Sequence, residues 1–203
     1  MTENPLTPLD EQLAARLLEQ RTLFFGSPLD DTLGNRLCAA LVLLASDDPS
    51  ADIYLWINSP GGSVTSMLAI RDTIRTIPAP VRTINLGLAA SAGQFVLSAG
   101  APGHRYSLPH SKVLLHQGSA GIGGSAGDIA IQADDLRQTR DTVLGLIASD
   151  TGQDVATVER DSRRDRWFTA EEALTYGFID RVVTSLDDIR PRPRAAVGLA
   201  VAS

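Results

Sequence analysis

Residues 53–86 read IYLWINSPGGSVTSMLAIRDTIRTIPAPVRTINL. Ile53 to Ile57 is a near-continuous apolar run, which predicts a strand buried on both faces. Asn58-Ser-Pro-Gly-Gly62 breaks it. From Ser63 to Ile77 the period becomes helical, with Met67, Ile70 and Ile74 in line. Pro78 and Pro80 stop that helix, and Val81 to Leu86 reads as a second strand. Strand, helix and strand in this order are the unit of a parallel sheet, so the chain reads as α/β.

The same alternation continues outward. Upstream, Leu13–Gln20 predicts a short helix and Thr22–Phe25 a short strand. A helix capped by Asp30 or Asp31 runs from there to Ala45. Downstream, Gly87-Leu-Ala-Ala-Ser-Ala-Gly93 forms a turn leading into a helix through Phe95 and Leu97 to Ser98. Lys112–His116 is a third strong strand. Gln117–Gly127 holds five glycines. Asp128–Ser149 is the longest helix expected, about 33 Å at 1.5 Å per residue. Its apolar stripe is Ile129, Ala133, Leu136, Val143 and Ile147. A helix of that length between two βα segments would project from the body and bury its stripe against another subunit. A last helix, Ala170–Tyr176, precedes a strand at Arg181–Val183. The expected organisation is one domain over 13–186, a flexible arm over 1–12 and a flexible Pro/Arg-rich tail over 187–203.

Composition excludes several classes of function. Across 203 residues the formal charge is −6 and the pI about 5.0, which gives no support to a nucleic-acid or anionic-membrane partner. The longest apolar run, Leu37–Ala45, has nine residues, whereas a membrane span needs roughly 20. The opening MTENPLTPLDEQ has neither a basic segment nor an apolar one, so no secretory signal is expected. Cys38 is the only cysteine, which excludes an intramolecular disulfide and a multi-cysteine metal site. A reducing cytoplasm is the simplest location. Lys112 is the only lysine among 18 basic residues; arginine suits ion pairs at subunit contacts, and codon usage in a GC-rich genome gives the same bias.

Two glycine-bearing turns, 58–62 and 87–93, each follow a strand and precede a helix. Ligands of open parallel sheets sit at such carboxyl ends of strands. A helix start there also offers free N–H groups for an oxyanion. Ser91 stands among Ala90, Ala92 and Gly93, which leaves two readings open. It is a nucleophile on a sharp elbow, a looser spelling of G-x-S-x-G, or an ordinary helix cap. A serine nucleophile needs a base, and the histidines are His104, His110 and His116. His104 and His110 lie in Pro/Gly-bearing turns. His116 ends an apolar strand, where a polar group needs a reason. His110 and His116 as metal ligands lack an evident third. Twenty-four carboxylates leave the acid partner open, and the charged run 159–167 reads as a solvated turn.

Taken together, INSPGGSV (57–64), GLAASAGQ (87–94), YSLPHSKVLLHQ (106–117), TGQ (151–153) and ERDSRRDRWFTAEEALTYGFID (159–180) resemble one family. It is the proteolytic subunit of the Clp protease, ClpP, with actinobacterial members most similar. The resemblance implies a crotonase-like ββα spiral with a protruding handle helix, here about 128–149. It implies Ser91 as nucleophile, His116 as general base and Asp165 as the acid orienting the imidazole. The N–H groups of Gly62 and Ala92 would form the oxyanion hole. The implied function is an ATP-dependent serine endopeptidase that cuts unfolded proteins into short peptides. It would do so inside two stacked seven-membered rings, with the stretch 117–127 pairing with the substrate backbone. An AAA+ unfoldase of ClpX or ClpC type would feed it, and the subunit itself would need no metal or organic cofactor.

Several positions depart from the family's usual pattern. Ala92 stands where many members have Met, Gly118 where many have Pro, and Arg71 and Thr76 where many have Tyr and Phe. The last two match an apolar cleft that receives the unfoldase loop; Tyr54 and Trp56 keep part of it aromatic. Arg163 replaces an acid expected to pair between rings, unless it finds an acid of its own chain such as Asp161. These departures motivate an alternative, a weakly active structural paralogue completing a mixed ring. A crotonase-type acyl-CoA enzyme would share the fold but gives the Ser/His pair no role.

Overall fold

The computed structural model describes residues 8–118 and 121–190. Seven strands form one sheet. β1 (Thr22–Phe25), β2 (Ile53–Ser59), β3 (Val81–Ala90), β4 (Arg105–Ser107) and β7 (Arg181–Val182) follow one another, all parallel. β5 (Lys112–Leu115) pairs parallel with the far end of β3 and antiparallel with β6 (Arg166–Thr169). The α/β reading and the parallel sheet therefore hold.

β2 shows why a continuous apolar run was needed. Ile53, Leu55 and Ile57 face the main core, while Trp56 points to a second cluster with Ile84, Tyr106, Val183 and Ile189. Successive side chains alternate across a strand, so both faces of β2 are buried. Helices α2 (Asp31–Asp47), α3 (Val64–Thr76) and α4 (Ala92–Ser98) cover the main-core face through Leu37, Leu41, Ile70, Phe95 and Leu97. Asp30 caps α2 by accepting from the Leu33 N–H at 2.7 Å, and Ser63 caps α3.

α5 (Ala126–Thr151) extends two residues past the expected helix at each end. A capping box joins Ser125 and Asp128 at its start, and Gly152 ends it in the left-handed conformation. Its second half is anchored by Leu144, Ile147 and Ala148. Its first half leaves Ile129, Ile131 and Leu136 exposed. This is the protruding helix anticipated from the stripe.

Other elements differ from expectation. α1 starts at Pro8 rather than Leu13, so part of the expected arm is helical. Residues 1–7 and the tail beyond 190 lie outside the described residues. Within the expected tail, a short 3-10 turn (Leu186–Asp188) packs Ile189 to 1% exposure. β3 continues through Gly87–Ala90, which reads as a loop by composition. It does so by changing partners, from β4 at Thr83–Asn85 to β5 at Leu88–Ala90. The charged run 159–167 is a solvated turn only at 163–165. α6 (Val155–Ser162) ends within it and β6 begins there. Asp161 is 8% exposed and held by Arg160 at 3.1 Å and Arg166 at 2.5 Å. α7 (Ala170–Tyr176) matches expectation, with a capping box between Thr169 and Glu172.

Candidate active site

Ser91 sits between the end of β3 and the start of α4 with φ 54° and ψ −115°. A positive φ of this kind is costly for any residue with a Cβ. Its hydroxyl makes no capping bond to α4, which removes the cap reading. What remains is a strained strand-to-helix elbow with the side chain left free. The elbow is pinned by its own N–H, which donates to the Leu114 carbonyl of β5 at 3.1 Å.

Strand register then brings the remaining residues together. Ala90 pairs with Leu114, so Ser91 stands beside the end of β5, from which His116 follows. Leu115 pairs antiparallel with Arg166, so the next step along both strands sets His116 against Asp165. The contact is His116 Nδ1 to Asp165 Oδ1 at 3.3 Å. With Nδ1 so engaged, Nε2 is the ring nitrogen left for a partner in the cleft. Ser91 and His116 line the same cleft, about 510 Å³, without a direct hydrogen bond between them among the described residues. Catalytic bonds of this kind are commonly loose without substrate. Asp165 is largely exposed, at 64% of its side chain. Of the other histidines, His104 contacts the Tyr106 hydroxyl at 3.2 Å and His110 is exposed at a turn.

The glycine turn 58–62 lies against the elbow. Gly61 has φ 102°, and a Cβ there would stand 2.7 Å from Ser91 Cβ and 2.8 Å from the Ala90 carbonyl oxygen. Gly62 has φ 147°, and its Cβ would collide with the Leu29 carbonyl oxygen at 2.1 Å. Only glycine gives this close approach. The bridge to Leu29 uses the Gly61 carbonyl and the Ser63 N–H, so the Gly62 N–H stays outside it. Ala92 opens α4, and the first N–H groups of a helix have no intrahelical acceptor. Two free N–H groups thus flank the serine, at the positive end of α4.

Sequence reasoning missed Gly61 as a site residue. It also missed the cleft wall made by Met67, Phe95, Val143 and Leu144. The α5 residues that line the cleft, Leu136, Thr139, Arg140, Val143, Leu144 and Ile147, recur at three- and four-residue spacing, a pattern present in the sequence but read there only as a subunit contact. Among the described residues, no three His, Cys, Asp or Glu side chains are placed to hold a metal, and no helix is long and apolar enough to cross a membrane.

An elbow serine, a histidine and a carboxylate on adjacent strands, with two N–H donors beside the serine, is an acyl-transfer arrangement. Comparison with known proteins gives the family. Residues 9–186 match the Clp protease family. The chain belongs to the Clp protease family. Its relatives include "ATP-dependent Clp protease proteolytic subunit 1" of Streptomyces avermitilis, 52% identical over 189 residues, 93% of this chain and 87% of that protein. Subunit 1 of Frankia casuarinae is 55% identical over 174 residues, 86% of this chain and 82% of that one. Subunit 2 of Corynebacterium efficiens is 54% identical over 169 residues, 83% and 85%. The chain is thus a Clp-type serine peptidase subunit with the crotonase-like α/β fold of its family.

Two departures from the Clp pattern take on a different meaning in the structure. Arg71 does not leave a charge in an open cleft. It forms a bidentate pair with Asp150 of α5, Nε to Oδ2 at 2.9 Å and Nη2 to Oδ1 at 3.0 Å, and Arg75 adds a third bond at 2.8 Å. The Arg71 and Asp150 side chains are 11% and 3% exposed. Arg163 finds an acid of its own chain, but this is Glu159 at 3.7 Å rather than Asp161. Thr76 donates back to the Asp72 carbonyl of its own helix. Tyr54, Leu86 and Leu108 pack with Trp56 in the second apolar cluster.

Proposed function

We propose that Ser91, His116 and Asp165 are the catalytic triad of this subunit, and that the Gly62 and Ala92 N–H groups form its oxyanion hole. His116 Nε2 takes the Ser91 proton as Oγ attacks a peptide carbonyl. The carbonyl oxygen gains negative charge, which the two N–H groups stabilise. His116 returns the proton to the leaving amine, and the peptide bond breaks. Water, deprotonated by His116, then releases the acyl group and restores Ser91. Asp165 holds the ring by its Nδ1–H and offsets the charge on the protonated imidazole.

The observation that carries this reading is the elbow of Ser91, strained and uncapped, on a cleft shared with His116. Ser91→Ala should fold normally, with an unchanged melting temperature, and lose activity on a fluorogenic peptide by several orders of magnitude, on the order of 10⁶. His116→Gln should be equally inactive, whereas His104→Gln and His110→Gln should retain activity. Fluorophosphonate labelling confined to Ser91 in the unmodified protein is the independent check. Full activity in Ser91→Ala would refute the assignment.

The same reading supplies the rest of the function. The peptidase domain covers 13–186, acts in the cytoplasm on unfolded polypeptides, and assembles as two stacked seven-membered rings fed by an AAA+ unfoldase. No nucleic acid, membrane, metal or organic cofactor takes part. A paralogous subunit is a second partner of this assembly: Arg71 is paired within the chain, but Thr76 still leaves a small polar group where many members have Phe, and Arg163 meets Glu159 only through an exposed contact at 3.7 Å.

A further inference from the structure

The cleft beside Ser91 carries a charge that acyl transfer does not use. Its α5 wall is Leu136, Thr139, Arg140, Val143, Leu144 and Ile147. Arg140 is the only arginine or lysine lining the cleft, and no carboxylate lines it among the described residues. Asp141 accepts from Arg140 Nε at 2.9 Å and Nη2 at 2.7 Å. Nη1 is left with no partner among the described residues, on a guanidinium built to bind carboxylates in a fork. The Arg140–Asp141 pair is solvent-exposed, and such pairs are weak and readily exchanged. The other nearby carboxylate, Glu159, is engaged by Arg163.

We propose that Arg140 is a specificity-determining residue that favours peptides with an acidic side chain near the scissile bond and disfavours a basic one there. This rests on the cleft being the active site. Arg140 stands one helical turn from Leu144, about 6 Å along α5. An extended peptide places same-face side chains about 6.6 Å apart, two residues along. A substrate laid along α5 with an apolar side chain against Leu144 and Ile147 therefore presents the second residue away from it to Arg140. A carboxylate at that place exchanges with Asp141 or takes Nη1.

The test is a series of internally quenched peptides with leucine at the cleavage position. Glu, Gln or Lys is placed in turn at each of three positions on either side, and each peptide is assayed with the assembled protein. We expect one position, two residues from the leucine, where Glu exceeds Lys in kcat/KM by about fivefold, less so at high salt. Arg140→Gln should bring that ratio near one, and Arg140→Glu should invert it. Asp141→Ala, which removes the competing acceptor, should raise it. A wild-type ratio within twofold at every position, or a ratio that survives in Arg140→Gln, overturns the proposal while leaving the active site intact. Cleavage of the Gln peptides by Ser91→Ala would instead overturn the active-site reading beneath it.

Discussion

At the scale of single residues the site depends on backbone more than on side-chain chemistry. Ser91 is one of two non-glycine residues with positive φ among those described, the other being Arg21. The strain at Ser91 is held by Gly61, which lies where any side chain would strike it. Gly61→Ala should therefore lower stability by about 1–3 kcal/mol and peptidase activity by about 10²-fold. Gly26→Ala is the control, because a Cβ there meets nothing within 4 Å. Thermal melts and peptide turnover on both variants check this; an active, stable Gly61→Ala protein would show that the turn is not what holds the elbow. Sequence could indicate Ser91 through its small neighbours. It could not indicate Gly61, because a Pro-Gly-Gly turn looks the same whether or not a serine lies beneath it.

Between elements, long-range ion pairs fix what short strands cannot. β4 and β7 are only three and two residues long. They are joined by Arg105, whose N–H, Nε and Nη2 all donate to Asp180 at 2.9, 2.9 and 2.6 Å. Burial by itself would push the Asp180 carboxyl up, but the Arg105 side-chain and backbone bonds outweigh it and hold it below the ordinary value. A carboxyl lowered in the folded state contributes fully above its unfolded value of about 3.9, and the contribution is lost as pH falls through the folded value. Urea midpoints should therefore fall below about pH 4. Asp180→Asn should be less stable at neutral pH and show a shallower acid decline. An acid decline as steep as that of the unmodified protein would exclude Asp180 as its source. Such pairs also mark where the sequence was hard to read. α2, α3, α5 and α7 announce themselves by apolar period and caps. β4 and β6 are too short to show a period and hold their place by long-range partners, Asp180 for Arg105 of β4 and Asp161 for Arg166 of β6, and Gly87–Ala90 is a strand only because β4 and β5 flank β3 in succession.

For the whole molecule, the unburied apolar surface supports the assembly proposed above. Ile131 is 70% exposed on the protruding half of α5, and Val42 and Leu43 are both half-exposed on α2. Surfaces of this kind on separate elements mark interfaces. Sedimentation at micromolar concentration should give an assembly far larger than the 21.6 kDa chain. Ile131→Asp should shift it toward smaller species, by leaving a carboxylate in an apolar contact. A stable monomer in the unmodified protein would contradict this. The α5 stripe was visible in the sequence, but which half is anchored was not, since that depends on α4 and α6 beneath it.

The Arg71–Asp150 pair also constrains how this sequence can change over generations. Losing one partner of a buried pair costs roughly 3–5 kcal/mol, a large share of the 5–15 kcal/mol that typically holds a folded protein together. Replacing both with fitted neutral side chains costs little. A lineage that leaves this arrangement through Asp150 strands Arg71 and crosses an intermediate that folds poorly, whereas one that leaves through Arg71 keeps the Arg75 bond on Asp150. The order of change is thus set, and a descendant carrying a neutral residue at 150 is expected to carry a neutral residue at 71.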